Sequence, residues 1–280
     1  MHEQSYQLVR SRGVGHAVAS FSRACLIRLI DFPEMPLRIN THETVKAGRT
    51  ALVVRTAFPV ENRRVAAVYK RVGRQNWWTS LADMFATHRL LRTWRLGREL
   101  RRRHIATPRP LAVIVPRWYQ FGREAYLVLE WIERAENLKD FVGLASEVSA
   151  DQRLPLKQRA AVSLGHLLSR MHEARISHCD LKTTNLLLQS TPRTVETYVI
   201  DLDGAKLHRH RLAWNLRLRN LAKLASSSRE LPTVGQTDCL RLLKAYLNAS
   251  AAPKPHWKTA WRQLMVIAEA RSADERRRAA

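Results

Sequence analysis

Polar and apolar residues change period along this chain, and the changes mark its elements. From Glu43 to Val72 the pattern is strand-like: Thr44-Val45, then Ala51 to Val54, then Val65 to Val72, punctuated by Gly48 and by a turn at Pro59 to Asn62. At Ser80 the period lengthens. Ser80 with Asp83 makes a capping-box-like start, Leu81, Met84, Phe85, His88, Leu91 and Trp94 recur at helical spacing, and Arg101 to Arg103 suit the negative C-terminal end. His88 on that face reads as packed. The prolines of Ile105 to Pro110 impose an extended entry to a strand at Leu111 to Val115, and Tyr126 to Ile132 reads as another. Beyond it, helices are expected at Ala160 to Glu173, at Leu212 to Leu224 and near Trp257 to Ala270, with Arg276 to Arg278 as a frayed basic tail. Strands first and helices later predict an α+β chain with a small β-rich part carrying one helix and a larger, mainly helical part. The expected divisions are an N-terminal extension over 1–40, a small part over 41–133, a large part over 134–270 and a tail over 271–280. The extension mixes Arg10, Arg12, Arg23 and Arg28 with Val18, Phe21, Leu26, Leu29 and Ile30; packing onto the small part is favoured over a basic amphipathic segment lying on a membrane.

The candidate chemistry interrupts this pattern between Ile176 and Gly204. His178, Asp180, Lys182 and Asn185 lie on one loop, followed by apolar Leu186 to Leu188, a polar turn at Ser190 to Arg193, and Tyr198-Val199-Ile200 leading to Asp201. A loop, a hairpin and a second acidic position in that order match the spacing of a protein-kinase-type phosphotransfer site. In such a site Asp180 would orient an acceptor hydroxyl and accept its proton, Lys182 would neutralise the transferring phosphoryl group, and Asn185 and Asp201 would hold Mg2+ against the phosphates of ATP. His178 reads as internal scaffold. Upstream, Val65 to Lys70 is placed as the strand whose lysine, Lys70, meets the nucleotide phosphates. Lys46 to Thr50 would be the phosphate loop, with Gly48 as its one glycine. Glu130-Trp131-Ile132 would be the hinge, where backbone groups of Glu130 and Ile132 meet the adenine. The helix that should offer an acid to Lys70 has Thr93 at the corresponding place, and Glu99 lies off its apolar face, which leaves the partner of Lys70 open.

Composition changes this picture in one respect. Lys and Arg number 48 against 24 for Asp and Glu, a net charge of +24 that suits polyanions: an acidic membrane surface, a phosphorylated glycolipid or, second to these, nucleic acid. The basic run Lys206 to Arg211, with Arg217, Arg219 and Lys223 after it, follows the candidate site directly, so either an anionic acceptor or a solvated helix face accounts for it. Apolar runs are too short to span a bilayer, and Cys25, Cys179 and Cys239 are too scattered to suggest a zinc site or disulfide framework.

His178-Cys179-Asp180-Leu181-Lys182-Thr183-Thr184-Asn185 and Val199 to Gly204 resemble the lipopolysaccharide kinase (Kdo/heptose kinase, WaaP-like) family. Ile105 to Pro110 and Asp238 to Leu247 are similar to further segments of that family, so the likeness runs from roughly Glu43 to Leu247. The resemblance implies a protein-kinase-like two-lobed fold and ATP-dependent phosphorylation of a Kdo or heptose hydroxyl of the lipopolysaccharide inner core. It also implies a peripheral position on the cytoplasmic face of the inner membrane. A tRNA-associated atypical protein kinase and a nucleotide-binding pseudokinase scaffold are the alternative readings; Asp180, Asn185 and Asp201 together disfavour the second.

Overall fold

The structure is a computed structural model that describes residues 3–38, 43–47, 51–72, 80–117, 124–231 and 233–279. Two compact units divide it, Met1–Arg102 with Pro108–Trp131, and Arg103–Thr107 with Ile132–Ala280.

The first unit is built on strands β1 (Ser5–Arg10) and β2 (Gly13–Val18), helices α1 (Arg23–Asp31) and α2 (Met35–Arg38), strands β3 (Glu43–Ala47), β4 (Ala51–Val60) and β5 (Arg63–Val72), helix α3 (Ser80–Arg102), and strands β6 (Pro110–Val115) and β7 (Ala125–Glu130). The seven strands form one antiparallel sheet in the order β1-β2-β6-β7-β5-β4-β3. The β4-β5 hairpin turns on Glu61 and Asn62, both at positive φ, the backbone that matches the twist of paired strands. Along β5 the alternation assigns the two faces. Ala67 and Tyr69 enter a core with Phe21, Leu26, Leu29, Ile30, Phe58 and Tyr126, whereas Val72 enters a second cluster with Leu90 and Trp94 of α3. Lys70, two residues from Val72, lies on the α3 side of the strand and is half-buried.

The first 38 residues, expected to pack onto this part, do so: they supply α1, α2 and two strands, and α1 buries Leu26, Leu29 and Ile30 against the sheet, while α3 is the one helix described between residues 41 and 133. In α3 the buried face is Leu90, Thr93, Trp94, Leu96 and Leu100, and His88 is exposed: the helix is rotated from the expected stripe so that Trp94 meets the ring of His16 and the guanidinium of Arg98. Of the candidate phosphate loop, Lys46 and Ala47 end β3, and Gly48 to Thr50 lie outside the described residues.

The second unit contains β8 (Ala135–Asn137), α4 (Leu138–Glu147), α5 (Ala150–Glu173), β9 (Ile176–His178), β10 (Leu186–Ser190), β11 (Val195–Val199), β12 (Ala205–Leu207), α6 (Trp214–Ser228), α7 (Gln236–Ala249) and α8 (Trp257–Ala279). Residues 103–107 join it through Thr107 Oγ1, which donates to the Val199 carbonyl at 2.8 Å, and the Ala106 carbonyl, which accepts from Val199 N–H at 3.0 Å. α5 starts ten residues before the expected helix, with Pro155 in its second turn, and α8 continues through the segment expected to fray. Helices α5 and α7 cross at Gly165. A Cβ there would stand 2.7 Å from the Leu242 carbonyl oxygen and 2.8 Å from Tyr246 N, both backbone atoms that cannot swing aside. Gly165→Ala is therefore expected to destabilise the chain by about 1–3 kcal/mol through overpacking, read as a lower urea midpoint; an unchanged midpoint would mean that the crossing adjusts freely.

Candidate active site

The second unit brings the two candidate acidic loops together. Strand β9 pairs antiparallel with β12, His178 opposite Ala205, and β10 pairs with β11, Leu186 opposite Val199. The chain leaving β9 therefore runs beside the chain entering β12. Cys179 N–H donates to the Gly204 carbonyl at 2.7 Å, and Ile200 N–H donates to the Asn185 carbonyl at 3.0 Å. At the closest approach a Cβ on Gly204 would lie 3.2 Å from Asp180 N and 3.4 Å from Asp180 Cβ, so the absence of a side chain sets the spacing of the loops. Asp201 turns the chain in the left-handed region, φ 55° and ψ 56°, a conformation that Asp tolerates better than most residues.

His178 is fully buried between these loops. Its Nδ1 accepts from Asp180 N–H at 3.2 Å and its Nε2 lies 3.3 Å from the Ile200 carbonyl, a pair of contacts met by the neutral ring protonated at Nε2. Burial lowers its pKa, against the opposing pull of the Ile200 carbonyl and of Asp201 and Asp180, so it holds geometry and not charge.

Asp180, Lys182 and Asn185 meet on the loop itself. Lys182 Nζ is 2.8 Å from Asp180 Oδ2, while Asn185 Nδ2 donates to the Asp180 carbonyl at 2.8 Å and to its Oδ2 at 3.1 Å. Partial burial works against the ionised Asp180 carboxyl, but the hydrogen bond and charge of Lys182, with Asn185 and His178, outweigh it and hold its pKa below the usual aspartate value. The committed amide nitrogen turns the Asn185 Oδ1 to the opposite side, the end suited to a hard cation. Among the described residues no cluster of three or more His, Cys, Asp or Glu could hold a metal by itself. Asn185 and Asp201 offer oxygen donors only, the donor set of an ion that takes its remaining ligands from phosphate and water.

The model of the lipopolysaccharide kinase (Kdo/WaaP) family matches residues 49–246, which contain every one of these groups. The chain belongs to that family. Over 134 residues it is 31% identical to a 3-deoxy-D-manno-octulosonic acid kinase of Xanthomonas campestris pv. campestris (strain B100), covering 48% of this chain and 47% of that one. Over 157 residues it is 28% identical to the enzyme of the same name from Actinobacillus succinogenes, covering 55% and 62%. The chain thus spans about half the length of the curated relatives it matches. Among solved structures it is similar to one titled WaaP in complex with acyl carrier protein, with a TM-score of 0.56 at 17% identity over 83% of this chain and 88% of that one. The resemblance read from the catalytic loop holds for the family, and the α+β protein-kinase-like fold holds with it.

Family membership does not by itself place every candidate residue. Lys70 and Glu130 belong to the first unit, Lys70 opposite Val53 and Leu127 in the sheet and Glu130 at the end of β7. The N–H groups of Glu130 and Trp131 are used by the sheet, donating to Arg109 O at 2.8 Å and Ala66 O at 2.9 Å. Ile132 follows as the first residue of the second unit.

Sequence reasoning missed the face of α6 that grips the loop. Asn220 Oδ1 accepts from His178 N–H at 2.7 Å, Lys223 Nζ donates to the Cys179 carbonyl, and Ser227 Oγ accepts from Thr183 N–H at 3.1 Å. Positions 220, 223 and 227 recur on one helical face. Behind them His172 lies between Asn220 Oδ1, 3.4 Å from Nε2, and Tyr246 Oη, 2.9 Å from Nδ1; burial, aided by Arg217, pushes its pKa down to about 3. Arg217, expected on the basic surface, is instead buried and donates to Glu173 at 2.8 Å, to Ser250 Oγ at 3.2 Å and to the Leu212 carbonyl at 3.0 Å. The readable signal was there: Arg217 and Asn220 occupy the same stripe of α6 as Leu221 and Leu224, where polar residues are out of register with an apolar face.

Because folding makes Asp180 more acidic, its ionisation favours the folded state at neutral pH. That contribution is lost as pH falls from the ordinary aspartate range through the lowered value. Lys182→Ala is expected to move the Asp180 titration, followed by carboxyl carbon NMR, to higher pH. An unmoved titration would show that Lys182 does not hold the carboxylate.

Proposed function

We propose that this chain transfers the γ-phosphoryl group of ATP to a hydroxyl of a Kdo sugar in the lipopolysaccharide inner core. The observation that carries the reading is the ionised Asp180, fixed by Lys182 and Asn185 on a loop held against the Asp201 turn. The family match and the Kdo-kinase relatives support the choice of acceptor.

In this reading the acceptor O–H gives its proton to the Asp180 carboxylate as its oxygen attacks the γ-phosphorus, the bond to the β-bridging oxygen breaks, and ADP departs. A carboxylate with a low pKa takes up the proton late, so its main contribution is alignment of the hydroxyl. Lys182, half-exposed beside it, is placed to lend positive charge to the transferring oxygens. Asn185 and Asp201 would hold Mg2+, whose chemistry is neutralisation of the phosphate charge. Lys70 would meet the nucleotide phosphates, the Gly48 loop would cover them, and the Glu130 to Ile132 backbone would meet the base.

The surface beyond the site suits an anionic acceptor. Lys206, Arg209, His210 and Arg211 are exposed directly after the Gly204 turn, and they would weaken their hold on an acidic glycolipid or membrane as salt rises. Among the described residues no helix is long and apolar enough to cross a membrane, so attachment to the cytoplasmic face of the inner membrane would rest on such a surface.

Transfer of labelled phosphate from ATP should be measured to Kdo-bearing lipid A, to lipid A lacking Kdo, and to protein acceptors including a tRNA-modification complex. Label on the Kdo-bearing acceptor alone is expected, with Asp180→Asn slowing turnover at least about 100-fold, the scale of a lost general base. Label on protein alone, or full turnover by Asp180→Asn, would contradict the proposal.

A further inference from the structure

A second cationic concavity lies in the same unit, away from the catalytic loop. One stripe of α5 carries Arg159, His166 and Arg170, and the β10-β11 turn carries Arg193 and Thr194; together they line an open pocket of about 620 Å³. That is within the range of pockets that take small ligands. The register of the hairpin places it. Leu186 opposite Val199 marks the catalytic end, Ser190 opposite Val195 marks the pocket end, and four strand steps separate them by roughly 13 Å.

The charges in this pocket are not explained by the fold. Among the described residues none of Arg159, Arg170 and Arg193 pairs with a carboxylate, and the buried Nε of Arg159 has no hydrogen-bond partner. The one acid in the lining, Glu196, already accepts from Tyr198 Oη at 2.7 Å. Ser163 and Thr197 hydrogen-bond each other at 2.8 Å across the floor and fix α5 to β11, so the guanidinium groups are carried on a braced wall. A buried guanidinium N–H without an acceptor is costly to leave unmet, and planar guanidinium forks suit the oxygens of a phosphate ester.

We propose that this pocket is a second, non-catalytic site for a phosphate-bearing ligand, held by Arg159, Arg170 and Arg193 with Gln158, His166 and Thr194 around them. Its recognition chemistry is shared by a soluble phosphate ester and by an anionic lipid headgroup. The site does not depend on the reaction proposed above, and binding alone tests it.

The full chain should be titrated calorimetrically with inorganic pyrophosphate and with glucose 1-phosphate, and by sedimentation with phosphatidylglycerol vesicles against phosphatidylcholine vesicles. Arg170→Glu/Arg193→Glu and Arg159→Gln serve as site variants, and Arg262→Glu/Arg277→Glu, both exposed on α8, as the charge-matched control. The expected result is at least tenfold weaker binding in the site variants, with the control within twofold of the parent and all melting temperatures alike. Weakening seen with the soluble esters assigns a free phosphate ester, and weakening seen only with phosphatidylglycerol assigns a headgroup. Equal binding by parent and site variants to every probe, or equal weakening by the control, would overturn the proposal. Should Arg159→Gln fold poorly, the exposed Arg170 and Arg193 pair still decides it.

Discussion

An irregular loop that must hold a carboxylate in one place needs partners for its backbone polar groups, and here one helix face supplies three of them. The N–H of His178, the carbonyl of Cys179 and the N–H of Thr183 are met by Asn220, Lys223 and Ser227 of α6. Neighbouring groups go to Gly204 and, through the His178 ring, to Ile200. Unmet backbone groups would let the loop drift toward water. With these three met, the position of Asp180 is tied to the helical core.

That core explains why charge is buried behind the site. Arg217 is costly to remove from water, and its cost is offset by Glu173, Ser250 and the Leu212 carbonyl. The same cation works with burial to keep His172 neutral, which fits it to its contacts with Asn220 and Tyr246. Removing either member of the Arg217-Glu173 pair would leave the other uncompensated beside the network that fixes His178. Electrostatics at the surface of the site runs the opposite way: Asp180 stays ionised in reach of solvent, stabilised by Lys182.

The catalytic loop was legible because its chemistry is local. Asp180, Lys182 and Asn185 fall within six residues, and the hairpin that follows fixes their relation to Asp201 by simple β pairing. The strands of the first unit from Glu43 onward were legible from alternation, as at β5. What escaped was set by tertiary packing. The first 38 residues, expected to pack on the small part, also gave two strands to its sheet, with Leu26, Leu29 and Ile30 entering the core, and the face of α3 was decided by Trp94 and Leu90 against β6 and β7. Arg217 passed for a surface cation because its partner Glu173 is 44 residues away in the chain. Asn220, too, gains meaning only from the N–H it meets.

The central claim is that the loop from His178 to Asn185 is assembled before any ligand arrives. Amide hydrogen exchange of the chain alone, followed by NMR at His178, Cys179, Thr183, Asn185 and Ile200, tests this most directly. The account predicts that these five amides exchange as slowly as the core of β10, opening only with the unit as a whole. Exchange as fast as that of the exposed Thr191 to Thr194 turn would contradict it.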